Sequence, residues 1–150
     1  MSRITEVNSG LRSILLLSRI SRVYTDKICG TATFDGRGAF TLIEASAQLG
    51  AFHVRWRDEF RRQAFLIKVG ECIFWDPLPA AGSFDLAGDL TGESDRSFVY
   101  RLCARKGGRM VMDGEFWFST VEYDEKFDGA RLRTHYKGLF SCLTNVSGIA

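Results

Sequence analysis

The chain has no apolar stretch long enough to span a membrane. Its longest early apolar run, Ile14 to Leu17, is too short for a signal-peptide core. Both absences lead to the expectation of a cytoplasmic protein without a membrane span. Net charge is only +2, which makes no case for nucleic acid as a partner. Any electrostatic argument must therefore rest on where charges cluster. The cysteines Cys29, Cys72, Cys103 and Cys142 form no CxxC pair, and only His53 and His135 could join them at a metal. Free thiols are the better reading, and neither a metal nor a cofactor is expected. There is no internal repeat and no low-complexity tract.

What remains is ordinary globular material: 150 residues, 45% hydrophobic and 25% charged. That is one domain's worth, enough to bury a core. Residues 1–12 are polar and read as a loose arm. Ser13 to Arg22 and Ile28 to Phe34 read as strands, the second with threonine-rich alternation, and Asp35 to Gly38 as a turn. Four further strands are predicted at Ala64 to Trp75, Ser83 to Thr91, Arg96 to Arg105 and Arg109 to Tyr123. Turn residues separate them, and the gaps at Gly92 to Asp95 and at Gly107-Gly108 suit tight hairpins. Taken in order they predict a four-strand antiparallel meander.

Between the two sets of strands lies Phe40 to Trp56, free of proline and rich in Ala and Leu. It reads as a helix, with Thr41 as N-cap and Glu44 three residues on, a capping-box spacing. The segment is apolar on nearly every side, the pattern of a buried helix. Gly50 in its middle costs about 1 kcal/mol against Ala, so close packing is its expected reason. Strands, one buried helix and more strands make an α+β domain, an antiparallel sheet curled around the helix. Phe116 and Phe118 alternate with Trp117, which on the opposite face would need a partner surface, for example in a dimer.

The segment LIEASAQLG, Leu42 to Gly50, resembles the helix motif of the 3-hydroxyacyl-acyl-carrier-protein dehydratases. ILLLSRI, Ile14 to Ile20, resembles that family's first strand. Phe65 to Trp75 with Pro77-Leu78-Pro79 and Gly82 resembles a later strand and turn, and Asp113-Gly114-Glu115 its last strand. The resemblance runs from about Ser13 to Val121. It implies a hotdog fold and a homodimer or higher oligomer with active sites between subunits. It also implies an acyl thioester of acyl carrier protein or coenzyme A lying in a tunnel beside the helix, as in fatty-acid or polyketide-type metabolism. The family's helix Glu matches Glu44 and its Gln matches Gln48. One departure stands out: the loop before the helix, Thr33 to Phe40, contains neither the family's catalytic His nor its prolines.

Dehydration divides its work between a base at C2 and an acid at C3. Glu44 could serve as the acid if burial favours its protonated form. His53, nine residues on, falls on the opposite helix face, and His135 could arrive only if the tail folds back. Thioester hydrolysis requires less: Glu44 to activate water or attack, Gln48 on the same face to orient, and the amides of Leu42 and Ile43 to hold the oxyanion. The competing readings are a capping role for Glu44, a backbone-bonded core amide for Gln48, and a non-catalytic acyl-binding subunit beside an active relative. Arg55, Arg57, Arg61 and Arg62 crowd the helix end, either as ordinary C-terminal cations or as a docking patch for acidic acyl carrier protein. In the extension, residues 124–150, Leu132, Tyr136, Leu139, Phe140 and Leu143 recur at helical spacing. They predict an amphipathic helix packed on the domain or on a partner, with the tunnel mouth as one place it could lie.

Overall fold

The computed structural model describes residues 3–6, 12–35, 39–75, 81–123 and 128–145. In chain order the strands are β1 (Arg3–Glu6), β2 (Arg12–Leu15), β3 (Leu17–Val23) and β4 (Lys27–Asp35). Helix α1 (Ala39–Arg57) follows, then β5 (Arg62–Phe74), β6 (Ala81–Glu93), β7 (Ser97–Lys106), β8 (Arg109–Glu122) and α2 (Gly129–Thr144). Strands β3 to β8 form one six-stranded antiparallel sheet in the order β3-β4-β6-β7-β8-β5. Alternation along β7 and β8 turns Tyr100, Leu102, Phe116 and Phe118 inward, all fully buried. Helix α1 lies on this inner face and touches all six strands. The β7–β8 hairpin turns on Gly107 and Gly108, both at positive φ, as a two-residue loop requires.

The expected meander is corrected in one respect. Strands β6, β7 and β8 do follow one another, but β5 lies at the far edge beside β8, and β6 pairs with β4. The chain leaves β4, passes through α1 beneath the sheet, and re-enters it at the opposite edge. A tight turn starts this return. Phe60 N–H bonds the Arg55 carbonyl and Glu59 N–H bonds that of Trp56, a Schellman-type helix end with Glu59 and Phe60 at positive φ. Glycine usually marks this position, and without one the sequence did not advertise the turn.

Three local expectations also change. The predicted first strand is broken at Leu16, whose N–H donates to Gln48 Oε1 at 2.9 Å instead of to a neighbouring strand. The arm expected to be loose contributes β1, paired with β2. Helix α1 is already formed at Ala39, so Thr41 lies within its first turn and is not the N-cap. Trp117 is outward as expected but has local company: it donates to Glu115 Oε1, and Lys68 Nζ lies 5.4 Å from its ring.

The C-terminal extension folds back on its own domain. Asp128 caps α2 by accepting from Arg131 N–H. Leu132 and Leu143 are buried, and Phe140 packs against Phe52 and Phe60. No helix among the described residues is long and apolar enough to cross a membrane.

Candidate functional site

One face of α1 defines the site. Positions 44, 48 and 55 are spaced so that Glu44 and Arg55 differ by about 20° in azimuth, while their Cα atoms lie about 16 Å apart along the axis. Between them Ala47 and Ala51 keep the helix surface low. Helix α2, packed beside β3, supplies Tyr136, Leu139 and His135. The result is a mainly apolar cavity of about 230 Å³ with Glu44 and Gln48 toward the start of the helix and Arg55 toward its end.

Glu44 lines this cavity but is exposed. Among the described residues the enclosure expected for it is absent: in the first turn of α1 Thr41 and Leu42 are buried, but Phe40 is 86% exposed. Gln48 takes the role of backbone-bonded amide: it holds Leu16 at the β2–β3 break against the helix. The amides of Leu42 and Ile43 are a poor oxyanion pair. With α1 formed at Ala39, the Ile43 N–H points to the Ala39 carbonyl, and the donors free of helix bonding lie earlier, through Thr41.

The histidines have distinct fates. His53 is fully buried, accepting or donating between Tyr100 Oη at 2.6 Å and the Tyr24 carbonyl at 2.7 Å. A carbonyl only accepts, so Nε2 carries the proton and Nδ1 accepts from the Tyr100 hydroxyl. Burial lowers the His53 pKa despite the bond to Tyr24. His135 reaches the cavity because α2 folds back. Its pKa is also lowered, by burial and then by the charge of Arg55. The His135 ring lies 5.1 Å from that of Tyr136, on which Arg55 stacks, so this imidazole stands at the Arg55 end.

The proposed docking cluster is dispersed. Arg55 is only 7% exposed and cannot belong to a surface patch. Its Nη2 donates to Gln63 Oε1 and to the Ala64 carbonyl, and its guanidinium stacks 3.9 Å from the centre of the Tyr136 ring. Arg57 is clamped on Glu93 by two hydrogen bonds, Arg62 pairs with Glu122, and Arg61 with Glu59. Sequence reasoning missed the burial of Arg55, since a cation in the last helical turn ordinarily faces water. Among the described residues no group of His, Cys, Asp and Glu could hold a metal ion, and the cysteines are free.

No family model matches the chain, and no curated protein matches it by sequence. Solved structures do match. Protein yhdA from Lactococcus lactis superposes with a TM-score of 0.65 at 12% identity, over 73% of this chain and 95% of that one. A mutant thioesterase from Pseudomonas aeruginosa gives 0.61 at 11%, over 73% and 84%. The dehydratase heterocomplex ApeI:P from Xenorhabdus doucetiae gives 0.60 at 14%, over 80% and 88%. The chain has the hotdog fold. At these identities the likeness extends to the fold and no further. In this hotdog domain Glu44 and Gln48 lie on the central helix α1.

Proposed function

We propose that this hotdog protein hydrolyses an acyl thioester, with Glu44 as the general base. The observation that carries this reading is the position of Glu44: a solvent-reached carboxylate at the open end of an apolar cavity. In the step proposed, Glu44 takes a proton from water and the resulting hydroxide adds to the thioester carbonyl. The tetrahedral intermediate then expels the thiolate, which recovers the proton. Free amides in the first turn of α1 supply donors for the oxyanion. The acyl chain lies along α1 toward Arg55. The carrier is coenzyme A or acyl carrier protein. The thioesterase among the similar structures supports hydrolysis as a chemistry this architecture accommodates.

Dehydration is the second reading, favoured by the helix motif and by the dehydratase heterocomplex among the similar structures. It needs a histidine near Glu44. His53 is bonded inside the core and His135 stands by Arg55, so a partner subunit would have to bring one.

The test is Glu44→Gln assayed for hydrolysis of acyl-coenzyme A and for dehydration of 3-hydroxyacyl thioesters. Hydrolysis by the native protein should fall by about 10²–10⁴-fold in the variant. Native protein that hydrolyses nothing, or a variant as fast as the native, sinks the hydrolase reading. Dehydration without hydrolysis selects the second one.

A further inference from the structure

The cavity has an open end and a deep end. Along α1 it passes Glu44, Ala47, Gln48, Ala51, Phe52 and Arg55. Glu44 at the start is exposed, whereas Phe52 and Arg55 are only 3% and 7% exposed. Tyr136 of α2 stands at the deep end. Its ring is edge-on to Phe52, with 6.4 Å between centres, and the Arg55 guanidinium stacks 3.9 Å from its centre. Leu139, three residues on and so on the same face of α2, lines the cavity with it. The polar atoms here do not open onto the cavity. Arg55 Nε and His135 Nε2 are sealed from solvent, as are Asp58 Oδ2 and the Tyr123 hydroxyl, and Arg55 Nη2 is taken by Gln63 and the Ala64 carbonyl. An entering chain therefore meets hydrocarbon and ring surface at Phe52, Tyr136 and Leu139.

We propose that Tyr136 and Leu139 of α2 are the stop of an acyl-length gauge, and that the cavity takes a hydrocarbon acyl group of medium length. The inference rests on the acyl-binding reading of the cavity and adds the class of acyl group. From Glu44 to Phe52 the axis of α1 advances about 12 Å. An extended chain with carbon–carbon bonds of about 1.5 Å advances about 1.3 Å per carbon, so roughly eight to ten carbons span that distance. The volume agrees. At about 230 Å³ the cavity is below the common ligand-site range of roughly 300–1,000 Å³, too little for a long chain. Two positions set the gauge. Truncating Tyr136 would deepen the cavity. Enlarging Ala51, about 10 Å from Glu44 along the axis, would shorten it.

The test is calorimetric titration of the full chain with uncleavable alkyl thioethers of N-acetylcysteamine, the thiol terminus that coenzyme A and acyl carrier protein share, from butyl to tetradecyl. Affinity should rise to an optimum between octyl and decyl, and the tetradecyl ether should bind at least tenfold more weakly than the best. Tyr136→Ala should move the optimum at least two carbons longer, and Ala51→Leu at least two shorter. Tyr136→Phe, which keeps the ring, should leave it in place. Native affinity that climbs unbroken to tetradecyl overturns the proposal, as does binding of no ether, and neither result depends on whether a variant folds. An optimum unmoved in Tyr136→Ala of native circular dichroism also overturns it, and Leu139→Ala gives the same reading where Tyr136→Ala does not fold. A second arm compares hydrolysis of octanoyl- and tetradecanoyl-coenzyme A. A length optimum in binding with neither thioester cleaved upholds the gauge and removes the hydrolase reading. Cleavage of both at one rate with no optimum in binding does the reverse.

Discussion

Phe118 fills the space that a side chain at Gly50 would need: a Cβ built on Gly50 stands 2.6 Å from Phe118 Cζ. The glycine lets the middle of α1 settle onto β8, and Phe118 is itself fully buried with its ring edge-on to Tyr100. Two effects of opposite sign therefore meet in Gly50→Ala. Helix propensity favours alanine by about 1 kcal/mol. Overpacking a core costs about 1–3 kcal/mol, and the added Cβ would meet Leu102 Cδ1 at 3.3 Å as well as the Phe118 ring. The variant should be less stable by about 1 kcal/mol or somewhat more, measured by urea denaturation. A variant of equal or higher stability would show that α1 does not approach the sheet this closely.

The bond from Leu16 N–H to Gln48 Oε1 separates a structural role from a catalytic one. Gln48→Ala should lower stability by about 1 kcal/mol, the usual worth of such a bond, because the strand break loses its acceptor. Gln48→Glu keeps an acceptor in reach and should retain most of that stability. If Gln48→Ala loses activity while its unfolding midpoint is unchanged, Gln48 acts on substrate and does not merely position the chain.

Acid should destabilise the fold through histidine. The pKa of His53 is lowered in the folded state, chiefly by burial, from an ordinary value of 6.5. Between the folded value and 6.5, the unfolded chain binds a proton that the native one refuses, so stability falls as pH falls through that window. His135 contributes with the same sign. Denaturation midpoints should be level above about pH 7.5 and decline below about 6.5, with the slope m unchanged. His135→Ala should leave most of the decline, since His53 is the more deeply buried. A flat profile from pH 7.5 to 5 would contradict the burial of His53.

Strand β5 should bring two copies together. It is an edge strand, and it exposes Phe65, Leu66, Ile67 and Ile73, with Trp75 just beyond. Its register shifts between Leu66 and Lys68, so Ile67, 58% exposed, bulges from the ladder. An apolar edge of this kind is a template for another strand. Light scattering at micromolar concentration should report a dimer, and Ile67→Lys should shift it toward monomer without changing the circular dichroism spectrum. A native protein monomeric at every concentration would rule the pairing out.

Much of the architecture is legible in local pattern. The strands β6 to β8 follow from period-two alternation, α1 from an apolar segment too uniform for a surface helix, and α2 from the spacing of Leu132, Tyr136, Leu139 and Leu143. The placement of β5 was not legible, because a chain leaving a helix carries no local sign of which sheet edge it will join. The break at Leu16 was hidden for a similar reason: its cause is an amide from a distant helix, and the run Ile14 to Leu17 looks continuous.

The sequence by itself determined which residues share a face of α1, since 3.6 residues per turn put Glu44, Gln48 and Arg55 on one stripe and His53 behind it. Only the tertiary structure decided what that stripe faces. Folding α2 back over the end of α1 turned Arg55 from an expected surface cation into a buried one and brought His135 to it. Helical periodicity is a property of neighbours along the chain, whereas burial depends on which distant segment packs above, and no local spacing encodes that choice.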